Sequence, residues 1–306
     1  MSNNTPFIVD KNLGANMIVE PEDLTQTNAD GEPAIAPRDE QKYIFDSRGW
    51  ILLPGVLSGD ELEEMREFAL QIYNDPESLP EHERSYVAGP LQKLTDHPLI
   101  VGFMNEFVAH PHLASSDGYG FRMEGASIRY RSAGTKDDGK FSPHNGNGLF
   151  RFAVDSHHYQ CFPGKAYSGL TRVVWELNPV KKGKGGTLVV SGSHKSAFPA
   201  PESIHDPNSP VWDTYECPAG SLLFFTEAIT HSATCWTDEE NDRVAIFSLY
   251  NTIGCKWSNW NPPSELITSM PPKRQSLFRE VHCASNRIDD NSKGYHGSNL
   301  SALKNQ

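Results

Sequence analysis

From about residue 120 onward the chain breaks into short runs rich in β-branched and aromatic residues, separated by Gly, Pro, Asn and Asp. The runs are Ala126–Arg131, Thr171–Leu177, Thr187–Val190, Ser221–Thr226 and Arg243–Asn251. Such segments fit a pleated, half-buried surface, and their regular punctuation predicts an antiparallel sandwich or barrel. With 306 residues the chain can bury one elaborated β domain or two modest ones.

The sequence before this region has a different texture. Residues 1–40 are polar, carry Pro33 and Pro37 and lack periodicity, which predicts an extended arm. Gly49–Leu57 then forms a short apolar strand ending in a turn. Ser58 with Glu61 three residues later is the pattern of a capping box. Leu62, Met65, Phe68, Ala69 and Ile72 recur at helical spacing, so residues 59–74 are predicted to form an amphipathic helix. A second helix is expected over residues 97–109, and two short ones over Ser264–Met270 and Lys273–Val281. The domain plan is an arm over 1–40, a main domain over 41–255 and an extension over 256–306.

Net charge and cysteine usage exclude several functions. The formal net charge of -12 disfavours nucleic acid and anionic membranes, since both demand a basic face. The five cysteines include no C-x-x-C pair, which argues against a zinc ribbon or disulfide framework and for a reducing compartment. No basic stretch followed by an apolar core opens the chain, and no run approaches the roughly 20 apolar residues of a membrane span. A cytoplasmic location is expected.

Arg243 opens a strand whose two alternate sets, Ala245-Phe247-Leu249 and Val244-Ile246-Ser248, are both largely apolar. An arginine entering such a strand is partly buried and needs an anion, and a guanidinium grips a carboxylate with two parallel bonds. The competing reading is a salt bridge to Asp238, Glu239, Glu240 or Asp242 just upstream.

Three segments in order carry a family resemblance: Gly186-Thr-Leu-Val-Val-Ser-Gly-Ser-His194-Lys195, Gly220-Ser-Leu-Leu-Phe-Phe-Thr-Glu-Ala-Ile-Thr-His231, and Arg243 twelve residues after His231. Together with the opening strand and helix they resemble the phytanoyl-CoA dioxygenases over residues 43–251. The resemblance implies a mainly β fold with flanking helices, a double-stranded β-helix (jelly roll, cupin-like). It implies iron(II) held by two histidines and a carboxylate, with 2-oxoglutarate as co-substrate and O2 and a small organic molecule as substrates. His231 would be one iron ligand, Arg243 would bind the distal carboxylate of 2-oxoglutarate, and Trp175 would lie near the co-substrate. His194, in a Gly-Ser-His turn, is not assigned to metal.

The chain departs from the family in its first ligand pair, His-x-Asp. None of its twelve histidines has Asp or Glu two positions later. His144, in Ser142-Pro143-His144-Asn145-Gly146, lies where the first histidine belongs. Three accounts stay open. The carboxylate comes from elsewhere, from Asp155 first or Glu227 second. Alternatively Gly146 leaves a vacancy for chloride, as in related 2-oxoglutarate halogenases. Otherwise His157 or His158 is the true ligand. The expectation is a hydroxylating dioxygenase with His144, His231 and Asp155 at the metal, against a halogenase and a non-catalytic binding protein that keeps the fold only.

Overall fold

The computed structural model describes residues 24–109, 118–134, 141–145 and 158–281. Its centre is a five-stranded antiparallel sheet built from β1 (Trp50–Leu53), β2 (Phe121–Arg131), β5 (Thr171–Glu176), β7 (Ser221–Thr226) and β9 (Arg243–Thr252), in the order β1-β7-β5-β9-β2. Two further strand pairs stand apart, β3 (Gln160–Phe162) with β4 (Lys165–Tyr167), and β6 (Thr187–Val189) with β8 (His231–Ala233). The predicted strands are all present, within a few residues at their ends.

The jelly roll expected from the resemblance is not what these strands build. Among the described residues the central sheet is open, with β1 and β2 as its two edges. The outer sides of β6 and β8 bond to single residues of irregular segments, Val189 to Asp213 and His231 to His144, and not to a strand of the central sheet. Among the described residues no ladder closes the sheet into a barrel, and the fold is mixed α/β. Helices pack on one face of the sheet, which explains why strands with two apolar faces look like those of a β sandwich.

On that face lie α1 (Asp39–Arg48), α2 (Gly59–Asn74) and α4 (Pro98–Phe107), with a single-turn α3 (Gln92–Thr95) before the last. α2 buries Leu62, Met65, Ala69 and Ile72, the stripe that its periodicity predicted. Ser58 occupies the N-cap with extended backbone, but its side chain makes no capping bond. Gly59 enters the helix at φ +57, an irregular first turn that replaces the expected capping box. Phe103 of α4 stacks on Phe224 of β7 with ring centroids 4.0 Å apart, and Phe45 of α1 meets Phe103 edge-on at 4.8 Å. Each such buried ring contributes about 1.5–3 kcal/mol of transfer free energy.

α1 was not foreseen, because its only buried residue is Phe45 and no apolar stripe announces it. It ends at Gly49, whose φ of +82 and close approach to His194 both require glycine: a Cβ there would lie 2.6 Å from Nδ1.

Residues 24–37 are seated on the body. Ile35 donates its N–H to the Pro98 carbonyl, and a Cβ on Gly102 would stand 1.9 Å from the Ile35 oxygen. At the other end, α5 (Ser264–Ser269), α6 (Pro272–Gln275) and the residues that follow each pack Leu266, Met270 and Leu277 into the same core as α2 and α4. Arg274 joins both ends to the middle, bonding Asp96 at 2.9 Å and Asp30 at 2.6 Å, while Tyr119 donates to Asp96 at 2.7 Å.

Candidate metal centre

Strand alternation decides what faces the gap between the central sheet and the β6–β8 pair. On β5, Thr171, Val173 and Trp175 turn toward the helices, while Arg172, Val174 and Glu176 turn toward the gap. On β9 the gap side carries Arg243, Ala245 and Phe247; on β2 it carries Arg129 and Arg131. A cavity of about 180 Å³ opens there, lined by these four arginines with Phe225, Phe247, Thr187, His144 and His231.

His231 begins β8 and is buried; His144 pairs with it across a two-bond bridge, each N–H donating to the other's carbonyl at 3.2 Å. The rings stand 4.1 Å apart between centroids. Nδ1 of His231 is 3.0 Å from the Ile229 carbonyl, and Nδ1 of His144 is 2.8 Å from the Ser142 carbonyl. A carbonyl only accepts, so both Nδ1 atoms carry the proton and both Nε2 lone pairs are left for a ligand. Burial lowers the His231 imidazole to about 4, against the pull of Glu227, which keeps it neutral and competent to bind a cation.

Glu227 is the third member. Its Oε2 lies 3.5 Å from His231 Nε2, and the ligand atoms of His144, Glu227 and His231 all fall within 4.8 Å of one another. Burial alone would raise this carboxyl, but Arg172 first, then His231 and His144, outweigh it and hold it at about 2. Arg172 binds only Oε1, through Nε at 2.8 Å and Nη2 at 2.6 Å. Asn145 donates to Oε2 at 3.3 Å, from a backbone at φ +61 that few residues other than glycine and asparagine adopt. Two imidazoles that each present Nε2 and one ionised carboxylate, gathered beside a cavity, fit iron(II) in a facial arrangement that would leave positions for a chelating co-substrate.

Several expectations need correction. Trp175 is fully buried on the helix side of β5, edge-on to His97 at 5.3 Å, and does not line the cavity. Strand parity assigns it to the core. Arg243 does line the cavity, but a protein carboxylate already holds it: Glu176 takes Nη2 at 2.6 Å and Nε at 3.3 Å. The partner is a neighbouring strand's glutamate and not an acid just upstream. Asp155, His157 and Gly146 lie outside the described residues. His158 is exposed and outside any strand or helix. His194 serves structure, donating from Nε2 to the Asp46 carbonyl at 2.9 Å. With Glu227 beside both histidines, the argument for a vacated ligand position falls, and the case for chloride with it. Strand alternation sets Arg172 on the face opposite Trp175, where it meets an acidic group or solvent; the structure gives it Glu227, and that pairing and Asn145 are what the sequence did not reveal.

The phytanoyl-CoA dioxygenase (PhyH) family model matches residues 45–237. The chain belongs to this family. No curated protein sequence matches it. Among solved structures, HygX from Streptomyces hygroscopicus with nickel and 2-oxoglutarate bound is 21% identical, with a TM-score of 0.56 over 76% of this chain and 94% of HygX. HygX with iron bound is 20% identical, with a TM-score of 0.55 over 76% and 94%. EctD from S. alaskensis in its apoform is 14% identical, with a TM-score of 0.52 over 84% and 91%. These likenesses establish a shared fold. Among the described residues no helix is long and apolar enough to cross a membrane.

Proposed function

We propose that this chain is an iron(II)- and 2-oxoglutarate-dependent dioxygenase that hydroxylates a small organic substrate, with His144, His231 and Glu227 as its metal ligands. The convergence of these three side chains at one end of the cavity carries the reading. When bound, iron(II) with 2-oxoglutarate and O2 supplies the oxidising power to replace a C–H by a C–OH bond.

The protein's own contribution is positioning. Ile229 and Ser142 fix the two imidazoles in the tautomer that presents Nε2. Arg172 occupies Oε1 of Glu227 and so directs Oε2 at the metal position as a single donor. Held this way, Glu227 would bind the metal through one oxygen and leave room for the co-substrate. Arg243, oriented by Glu176 and Tyr215, places a fixed positive charge on the cavity wall, with Nη1 as its remaining edge. Phe225 and Phe247 supply the apolar lining that excludes water. HygX, bound to nickel and 2-oxoglutarate, has the same fold and supports this choice of cofactors.

The test is anaerobic iron(II) titration of the full chain, followed by succinate formation from 2-oxoglutarate in air. One iron per chain and slow succinate release without added substrate are expected. Failure to bind iron would sink the reading, and iron binding without any turnover of 2-oxoglutarate would leave a metal protein of another class.

A further inference from the structure

Among the described residues no carboxylate holds Arg129, one of the four cavity arginines. Two of the other three are paired: Arg172 with Glu227, and Arg243 with Glu176. Arg129 spends only Nη1, on the Ser127 hydroxyl at 3.2 Å and the Ile128 carbonyl at 3.1 Å. Its Nε–Nη2 edge has no partner among the described residues. The guanidinium is held in place by the Phe247 ring, 5.3 Å from its centroid, and Arg243 stands 5.5 Å from the same ring. Across the ladder from Arg129 is Ala245, whose small side chain leaves the head group room over the cavity.

This is the complement of what Arg243 offers. Arg243 gives its side edge to Glu176 and keeps a corner; Arg129 gives a corner and keeps the side edge. That side edge is the one that grips a carboxylate with two parallel bonds. Its setting is also electropositive. Arg129 is exposed at the cavity rim, yet desolvation by the surrounding walls first, then the charges of Arg172, Arg131 and Arg243, push its guanidinium below the ordinary range. An anion arriving there offsets the repulsion that the neighbouring guanidiniums exert on Arg129 as well as forming hydrogen bonds.

We infer that the Nε–Nη2 edge of Arg129, steadied over Phe247, is a carboxylate subsite at the mouth of the cavity, and that the acid end of a bound ligand is received there and not by Arg243 alone. The inference rests on the cavity being the site proposed above. The carboxylate has two sources of the same chemistry, the distal end of 2-oxoglutarate or an acidic substrate.

The full chain loaded with nickel(II), which binds without turnover, separates them by calorimetry. 2-Oxoglutarate is compared with pyruvate, which has the same chelating end and no distal carboxylate. If the co-substrate fills the subsite, Arg129→Met weakens 2-oxoglutarate binding about 10- to 100-fold and leaves pyruvate unchanged. Arg129→Lys, which keeps the charge without the fork, restores part of the loss. If an acidic substrate fills it, Arg129→Met leaves 2-oxoglutarate unchanged and weakens the binding of glutarate, used as a probe at saturating 2-oxoglutarate, by a similar factor. Unchanged binding of both acids in an Arg129→Met protein of unaltered melting temperature overturns the subsite. Wild-type protein that binds nickel but neither 2-oxoglutarate nor pyruvate instead overturns the proposed function.

Discussion

The two faces of the central sheet are made from alternate residues of the same strands, yet they solve opposite problems. The helix face is sealed by aromatic packing: Phe224, Trp175, Val173 and Ile246 are fully enclosed beneath α1, α2 and α4. The cavity face has a smaller apolar cluster around Trp50, Phe225 and Trp236, and beyond it four arginines, two glutamates and two histidines. Stability should therefore reside on the first face and metal chemistry on the second. Substitutions that respect strand parity can separate the two.

The largest effect is expected at Glu227. Glu227→Ala removes the ionised donor between the histidines and should weaken nickel(II) or iron(II) binding by more than about 100-fold in calorimetry, since even indirect partners of metal ligands are worth 10- to 100-fold. Metal bound with undiminished affinity would break the division at its most important point. On the opposite face, Phe224→Ala should cost about 3–5 kcal/mol in urea unfolding while the metal stoichiometry stays the same. Loss of metal from a folded Phe224→Ala protein would show that the faces are coupled.

A sharper case is Arg243→Met, because here the cavity face also carries stability. The substitution strands the Glu176 carboxylate in a buried position, and breaking such a pair costs about 3 kcal/mol or more. The double variant Glu176→Met with Arg243→Met should recover much of that, since both charges are then gone. A double variant as unstable as the single one would mean that the pair itself, and not the stranded charge, supports the strand ends.

The smallest effect is pH dependence in the metal-free protein. Burial first of all lowers both His231 and His194 to about 4 in the folded state, against an ordinary value of 6.5. Between these values the unfolded chain takes up protons that the folded chain refuses. Stability is then highest above pH 6.5 and declines as the pH falls toward 4. Metal-loaded protein should resist this decline at first, then release the ion as His231 is forced to protonate. A melting temperature flat from pH 7 to 5 without metal would contradict the neutral, buried imidazole.

What the sequence made legible follows the same two faces. α2 could be placed to the residue because its helix-facing stripe is written in the 3.6-residue period, and the strands because their alternation was bounded by turns. α1 was invisible since one phenylalanine makes no period. At the site, His231 and His144 could be found by their order along the chain, while the carboxylate was sought two residues after a histidine. Glu227 instead stands four residues before His231, on the far side of the turn that follows β7. Only three-dimensional closure, with Arg172 arriving from β5, shows which acid it is. The pairing of Arg243 was likewise hidden, because Glu176 lies 67 positions away and meets it across the ladder. The expected barrel closure failed for a related reason: alternation records that a face is buried, not whether a helix or a second sheet buries it.

The clasp made by Arg274 with Asp30 and Asp96 has a consequence for how the protein is made. Its partners are separated by 244 and 178 positions, so the first cannot be satisfied until nearly the whole described chain has left the ribosome. At translation rates of 5–20 residues per second that interval is on the order of 10–50 s. During it the seat for residues 24–37 on α4 already exists in the nascent chain, but Asp96 is waiting for its cation. Slow codons or a stalled ribosome late in the message would prolong the exposure of that unfinished seam, and a holdase chaperone acting there would improve yield without touching the oxidative chemistry at all.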